Sequence, residues 1–356
     1  MKKIILTGGG TAGHVTPNIA LIPELQKRDY SIYYIGSKNG IEKKLIEECG
    51  IPYYGISSGK LRRYFDLKNF TDPVRIVKGY SEAKAIIRKL KPDIVFSKGG
   101  FVTVPVVLAA DKRHVPCVIH ESDMTPGLAN RICIPHAKKV CTNFPEAAKS
   151  IPGGKAIITG TPIRKELFAG NKIAGLDYCG FTANKPVLLV IGGSLGAASV
   201  NTAVREALPQ LLTRYQVIHL CGAGKLDPSL NDTEGYVQYE YVKSELSDMF
   251  AAADIVVSRA GANAICELLA LKKPNILIPL SAAVSRGDQV LNARSFENQG
   301  YSVVLSEEEL STYSLITAVD ELYDNRQQYI AAMSDNAGDD AVKLIADIID
   351  QNIKQK

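Results

Sequence analysis

His14 follows directly on the run Gly8-Gly9-Gly10-Thr11-Ala12-Gly13, between the apolar stretch I-I-L-T at 4–7 and a helix-like stretch from about residue 17. Glycines at such a turn let the backbone bend tightly and present N–H groups to an anion at the helix start. The neutral form of an imidazole beside a helix N-terminus is favoured, because the dipole opposes a positive charge. Such a ring can accept a proton from a hydroxyl or hydrogen-bond a sugar or phosphate oxygen, and the sequence alone leaves both open. Two other readings of the loop fail. The spacing is not G-x-G-x-x-G, and the next strand ends Y-Y-I-G-S-K without the acid that would hold a dinucleotide ribose. No Gly-Lys-Ser/Thr closes the loop as a Walker A motif requires.

Three further glycine turns follow strand-like runs. Lys98-Gly99-Gly100 sets a cation beside flexible backbone, suited to a phosphate. With the first loop it could clamp a diphosphate. Gly192-Gly193-Ser194-Leu195-Gly196-Ala197 is a second candidate phosphate turn, and Ser258-Arg259-Ala260-Gly261 stands beside it. Glu267 lies on the helix after that turn, where one carboxylate can accept two bonds from ribose hydroxyls; a surface salt bridge is the plain alternative. Asp288 and Gln289 open another helix with side chains suited to sugar hydroxyls, and Glu121 ends a strand in the first half. No D-x-D pair, H-E-x-x-H or C-x-x-C is present, so no metal site is expected. The charge of a leaving diphosphate would be met by N–H groups, helix dipoles and Arg164.

The elements that position these residues repeat. D-I-V-F-S-K-G-G at 93–100 is echoed by D-I-V-V-S-R-A-G at 254–261, each followed by an apolar helix and a second strand. In the first half, strands are expected at 3–7, 31–35, 94–97, 117–120 and 139–142, and helices at about 17–28, 41–48, 73–90, 102–113 and 127–134. Strands that are apolar without alternation suit a parallel sheet covered on both faces. The expectation is two Rossmann-like α/β domains, residues 1–162 and 163–335, facing a central cleft. A loose stretch is expected at 170–185, a break at 335–340, and a short final helix within 336–356 packing back on the first domain.

The 356 residues exceed what one core usually supports. No apolar run is long enough to span a bilayer, and the M-K-K-I-I-L-T-G-G-G start does not read as a signal peptide. Seven scattered cysteines fit a reducing compartment. Residues 1–162 hold 25 Lys/Arg against 13 Asp/Glu, a net of +12, whereas 163–335 hold 14 against 20, a net of −6. A basic first half implies a polyanionic partner. Within it, segment 57–72 interleaves Lys60, Arg62, Arg63 and Lys68 with Leu61, Tyr64, Phe65 and Phe70, as a membrane-surface segment would.

Taken together, T-G-G-G-T-A-G-H at 7–14, F-S-K-G-G-F-V-T-V-P at 96–105, H-E-S-D-M-T-P-G-L-A-N-R at 120–131, G-T-P-I-R at 160–164, G-G-S-L-G-A at 192–197, S-R-A-G-A-N-A-I-C-E at 258–267 and D-Q-V-L-N-A at 288–293 resemble the MurG family. These are family 28 glycosyltransferases of peptidoglycan synthesis, and the resemblance spans essentially the whole chain. It implies the GT-B fold and inverting transfer of N-acetylglucosamine from UDP-N-acetylglucosamine to lipid I, giving the β-1,4 link of lipid II. It also implies a peripheral protein on the cytoplasmic side of the cell membrane, touching an anionic lipid surface and associating with other cell-wall synthesis proteins. No nucleic-acid partner is implied. Mg²⁺ enters at most as a stimulant.

Carried onto matching positions, the resemblance gives Thr11, Gly13 and His14 to the reacting sugar and diphosphate. Asn130 and Gln289 go to the sugar, Arg164 and Ser194 to phosphate, and Glu267 to the ribose. Lys98, Gly99, Gly100, Arg259 and Asp288 complete the binding set. Asp123 stands where the family has Asn, and Leu195 where it has Gln; Asp123 is kept and Leu195 left out. A diphosphate is already a good leaving group, so one base suffices: His14 first, Glu121 second. The rivals are a UDP-sugar 2-epimerase, which needs no lipid acceptor, an NAD(P) oxidoreductase, which lacks its ribose acid here, and a nucleic-acid-binding module, which leaves the glycine turns without purpose.

Overall fold

The computed structural model describes residues 2–59, 72–193, 196–282, 287–335 and 340–354. The chain divides into two compact units, Met1–Arg164 with Gly338–Lys356, and Lys165–Ala337.

The first unit begins with β1 (Lys2–Thr7), α1 (Thr16–Lys27), β2 (Tyr30–Ser37), α2 (Ile41–Glu48), β3 (Tyr53–Ile56) and α3 (Asp72–Leu90). It continues through β4 (Ile94–Ser97), α4 (Thr103–Lys112), β5 (Cys117–Glu121), α5 (Leu128–Cys133), β6 (Lys139–Thr142), α6 (Pro145–Lys149) and β7 (Ala156–Ile158). The sheet runs β3-β2-β1-β4-β5-β6-β7 with every pairing parallel. Alternate residues of the central strands feed two cores. Ile4, Leu6, Ile94 and Phe96 face one side, and Ile5, Val95 and Ile119 the other. That two-sided burial is why these strands read as unbroken apolar runs.

In the second unit come α7 (Lys172–Cys179), β8 (Val187–Ile191), α8 (Ala198–Arg214), β9 (Gln216–Leu220), β10 (Tyr236–Tyr239), α9 (Leu246–Ala252) and β11 (Ile255–Ser258). After them come α10 (Ala262–Ala270), β12 (Asn275–Leu277), α11 (Asp288–Asn298), β13 (Ser302–Val304), α12 (Thr312–Asp324) and α13 (Arg326–Asp335). Its sheet runs β10-β9-β8-β11-β12-β13, again parallel throughout. Strand order reverses between β1 and β4 in one unit and between β8 and β11 in the other. The four glycine turns leave those four strands, so each unit has two of them at its topological switch point, where open α/β sheets bind ligands.

The last helix, α14 (Ala341–Gln351), belongs to the first unit. Asp340 caps it by accepting Val342 N and Lys343 N. Val342, Ile345, Ile348 and Ile349 are buried in the core that holds Ile4, Leu6 and Phe96. On its polar side Arg28 pairs with Asp347 at 2.6 Å and Asp350 at 2.9 Å, and Lys2 with Asp350 at 2.7 Å. Ion pairs that keep this much contact with solvent are worth about 0–1 kcal/mol each, against roughly 1.5–3 kcal/mol for each buried aliphatic side chain. The apolar face therefore holds the helix.

The structure holds elements that the sequence reading lacks, the short helix α6 among them. Edge strand β3 was not expected: it is four residues long and carries Gly55. Short β7 closes the other edge. The supposed loose stretch 170–185 contains α7, whose first turn is capped by the Asn171 side chain accepting Ala174 N. Most of the expected break at 335–340 lies outside the described residues.

Candidate active site

At the switch point of the first unit the two turns are stitched together. Lys98 N donates to Thr7 O at 2.9 Å and Gly9 N to Gly99 O at 3.4 Å. Tyr34 Oη donates to Gly8 O at 2.9 Å and accepts from Asn18 Nδ2 at 3.1 Å. A side chain at Gly100 would drive its Cβ into Gly9 O, and Gly100 sits at φ +91°, so the backbone approach and the dihedral both require glycine. Beyond the loop, Ala12–His14 form a single 3₁₀ turn ahead of α1. His14 Nδ1 lies 3.0 Å from Thr11 Oγ1. Both residues are at least partly open to solvent.

The floor of this mouth is polar and buried. Lys98 is 1% exposed and donates from Nζ to Ser122 Oγ. Glu121 is 4% exposed and accepts from Asp123 N at 2.9 Å, Gly127 N at 3.0 Å and Asn130 Nδ2 at 2.9 Å. Burial pushes its carboxyl above the usual range, although those hydrogen bonds pull the other way. The carboxylate thus shapes the loop carrying Asp123 and the entry to α5. Asn130 also donates to His120 O at 3.2 Å, and its buried Oδ1 has no hydrogen-bond partner among the described residues. An added Cβ at Gly99 would lie 3.3 Å from Asn130 Nδ2. His120 is fully buried and held well below the ordinary imidazole range, first by burial and then by the Lys98 charge. Arg164, at the end of the unit, has a buried Nε with no hydrogen-bond partner among the described residues.

The switch point of the second unit is built differently. Ile191, Gly193, Leu220, Val242, Phe250 and Leu268 are among the walls of a largely apolar pocket that opens to solvent. Glu267, on the second turn of α10, brings a carboxylate to it, as do Ser258 and Glu240 their polar groups. Gly196 sits at φ +67° against Cys221 O, and Lys225 Nζ reaches Gly196 O at 3.3 Å. An apolar slot with one carboxylate at its side suits a flat base and a ribose.

The expected residues do not all fall at these mouths. Thr11, Gly13, His14, Lys98, Gly99, Gly100, Glu121, Asp123 and Asn130 come together in the first unit. Ser194 lies outside the described residues. Gln289 accepts Leu280 N at 3.0 Å through Oε1, pinning the loop after β12, and Asp288 opens the same helix behind Gly287 at φ +78°. Arg259, expected in the binding set, has its guanidinium nitrogens engaged within the second unit. Its guanidinium is committed to Glu307 at 2.6 Å, Ser199 at 3.2 Å, Ile278 O at 3.1 Å and Pro279 O at 3.3 Å. Burial opposes ionisation of Glu307, but bonds from Arg259, Ser199 and Ser281 N hold its carboxyl below the usual range. The sequence reading missed Glu42, which is buried beneath the first loop, and the pocket walls Val242 and Phe250. Gly36 inside β2 was the available signal for Glu42, since a strand glycine marks a close approach.

Among the described residues, no group of three or more His, Cys, Asp or Glu side chains is arranged to hold a metal ion, and no helix is long and apolar enough to cross a membrane.

Residues 4–142 match the glycosyltransferase family 28 N-terminal domain, and residues 187–351 match the family 28 C-terminal domain. A relative from Lachnoclostridium phytofermentans is 67% identical over 351 residues, covering 99% of both chains. One from Lachnospira eligens is 62% identical over 354 residues, covering 99% of this chain and all of its own. Both are named UDP-N-acetylglucosamine–N-acetylmuramyl-(pentapeptide) pyrophosphoryl-undecaprenol N-acetylglucosamine transferase. The crystal structure of Acinetobacter baumannii MurG is similar with a TM-score of 0.78 at 25% identity, covering 99% of this chain and 100% of that one.

Proposed function

The chain belongs to glycosyltransferase family 28, and from that premise we propose that it transfers N-acetylglucosamine from UDP-N-acetylglucosamine to lipid I, forming lipid II. The observation that carries this is end-to-end identity of 67% with a relative named for that reaction. The two mouths support a division of labour. The apolar slot with Glu267 suits uridine, so the second unit takes the donor. The first unit, with its glycine loops and His14, takes the muramoyl sugar and its diphosphate.

In the chemical step, the C4 hydroxyl oxygen of the muramoyl sugar attacks the anomeric carbon from the face opposite UDP. The bond from that carbon to the diphosphate oxygen breaks, and its electron pair leaves with UDP. The configuration inverts in one displacement. His14 takes the hydroxyl proton. In this reading His14 Nδ1–H donates to Thr11 Oγ1, 3.0 Å away, and the lone pair of Nε2 takes the hydroxyl proton. Glu121 is the weaker candidate base, because both of its oxygens are spent on holding Asp123, Gly127 and Asn130. Charge on departing UDP is met by N–H groups of the second unit's glycine turn, with Ser194, and by Arg164, whose buried Nε has no hydrogen-bond partner among the described residues. Asp288 and Gln289 stand at a helix start suited to sugar hydroxyls.

The membrane reading is part of the same proposal. A net of +12 over residues 1–162 suits an anionic surface on the cytoplasmic side. The basic-aromatic residues of 60–71 that motivate it lie outside the described residues. The deciding experiment incubates the enzyme with UDP-N-acetylglucosamine with and without lipid I. Lipid II and UDP should form together, and only with lipid I. Free UDP-N-acetylmannosamine in place of lipid II would favour an epimerase.

A further inference from the structure

Three glycines of the first unit face one buried carboxylate. A Cβ added at Gly9 would lie 2.5 Å from Glu42 Oε1, one at Gly36 would lie 2.9 Å from Glu42 Cγ, and one at Gly40 would press on the carboxylate itself. Glu42 has no solvent exposure. Its Oε1 accepts Ser37 N at 2.9 Å and Ser37 Oγ at 2.5 Å, and its Oε2 accepts Gly10 N at 3.3 Å. All three partners are donors, so the group serves purely as an acceptor.

This arrangement reassigns part of the glycine signature. Gly9 is small because Glu42 lies beneath it, and Gly10 N points inward to Glu42. Gly10, at φ +89°, is the hinge after which the chain turns out to Thr11 and the His14 turn. Where Gly10 goes, Thr11 and His14 follow.

We propose that Glu42 is a positioning residue for the transfer reaction: by holding Gly10 N it fixes the loop that aims Thr11 and His14. The inference rests on the reading of His14 as the base. Glu42 touches no reacting atom, and its effect is carried through the backbone. A misplacement of about 1 Å in a catalytic group can cost on the order of 10²-fold in rate.

The test compares Glu42→Gln with Ser37→Ala in the full-length enzyme. The glutamine keeps an oxygen for Ser37 but turns an NH₂ group toward Gly10 N, breaking that one tie. The alanine removes a bond to the same carboxylate and leaves the Gly10 tie. Glu42→Gln should lower kcat about 10–100-fold with the donor KM near wild type, and should speed deuterium exchange in a peptide spanning residues 5–15. Ser37→Ala should keep kcat within about threefold, even where its melting temperature falls. Gly40→Ala crowds the carboxylate at an ordinary φ of −84° and should mimic Glu42→Gln if the latter does not fold. Wild-type turnover, unchanged loop exchange, or equal loss in Ser37→Ala and Glu42→Gln would overturn the proposal. His14→Ala run alongside separates the premises: if it stays active the base assignment fails by itself, while loop exchange still judges the hold of Glu42 on Gly10.

Discussion

The two units share strand order, parallel pairing and the placement of glycine turns at the reversal point, yet their mouths are chemically opposite. In the first, charged and polar side chains lie beneath the backbone: Lys98, Glu121, Asn130, His120 and Glu42 are all under 6% exposed. In the second, Ile191, Leu220, Val242 and Phe250 wall a slot, and the polar functions gather at Glu267, Ser258 and Glu240. A doubled fold supplies two equivalent places for ligands. What each place holds is decided by the few side chains at strand ends and by what supports them. A polar floor with backbone donors suits a sugar diphosphate that must be oriented for chemistry. An apolar slot suits a base that needs only to be held.

If the division is right, damage to the two mouths should separate in the kinetics. The largest effect belongs to His14→Ala, which should lower kcat roughly 10²–10⁴-fold. UDP binding measured by calorimetry should stay near wild type, because the second unit is untouched. Loss of UDP affinity with kcat preserved would reverse the assignment and make His14 a donor-binding residue.

Glu267→Ala should do the converse. Removing a carboxylate that accepts ribose hydroxyls strands a polar interaction worth about 1.5–3 kcal/mol, or roughly 10–100-fold in donor KM. The KM for lipid I should barely move. A kcat loss without a KM change would place Glu267 in the chemical step and blur the contrast between the mouths.

A smaller effect tests the membrane half of the proposal. Binding to vesicles rich in anionic lipid should weaken when Arg62, Arg63 and Lys68 are replaced by Glu, at about 1 kcal/mol per basic residue near the surface. Co-sedimentation at rising salt should show the same loss. Binding unaffected by the triple change would move the docking face away from segment 57–72.

How much of this was legible in the sequence follows from the range of each interaction. The β1, β4, β5 and β6 strands and the helix 41–48 are set by local apolar patterning, and the sequence places them to within a residue or so. The glycine turns were legible because a bend after a strand leaves a local mark. Edge strand β3 was not, since four residues containing a glycine give no period to read. Contacts that depend on distant partners left no local mark in the sequence. Arg259 sits in a motif beside a phosphate turn, yet its guanidinium is taken up by Glu307, 48 residues on. Glu42 looks like an ordinary helix-start acid and is instead the support of a loop 32 residues earlier.

The smallest effect compares the two units through a feature they share. Each has a buried histidine one residue before the end of the strand: His120 in β5 and His219 in β9. His219 is partnered on both nitrogens, by Asn201 Oδ1 at 3.0 Å and Tyr236 Oη at 3.0 Å. His120 meets Gly160 O at 2.9 Å through Nε2, and its Nδ1 has no hydrogen-bond partner among the described residues. Burial, then the nearby Arg205 charge, lowers the His219 imidazole to about 3. A folded pKa below the unfolded value means that the unfolded chain binds the extra proton. Stability is therefore intact above about pH 6.5 and falls as pH drops toward 3, by up to about 1.4 kcal/mol per pH unit for each such group. In the first unit Glu121 works in the opposite direction. Its raised folded pKa means that the folded chain holds the proton more readily, so acidification through that range returns stability and offsets part of the His120 loss. The second unit should accordingly be the more acid-sensitive. Calorimetric melting between pH 7 and pH 5 should resolve a transition that falls by roughly 3–6 °C per pH unit, and His219→Asn should flatten that slope. A slope unchanged by His219→Asn would mean that the histidine contributes nothing to acid sensitivity.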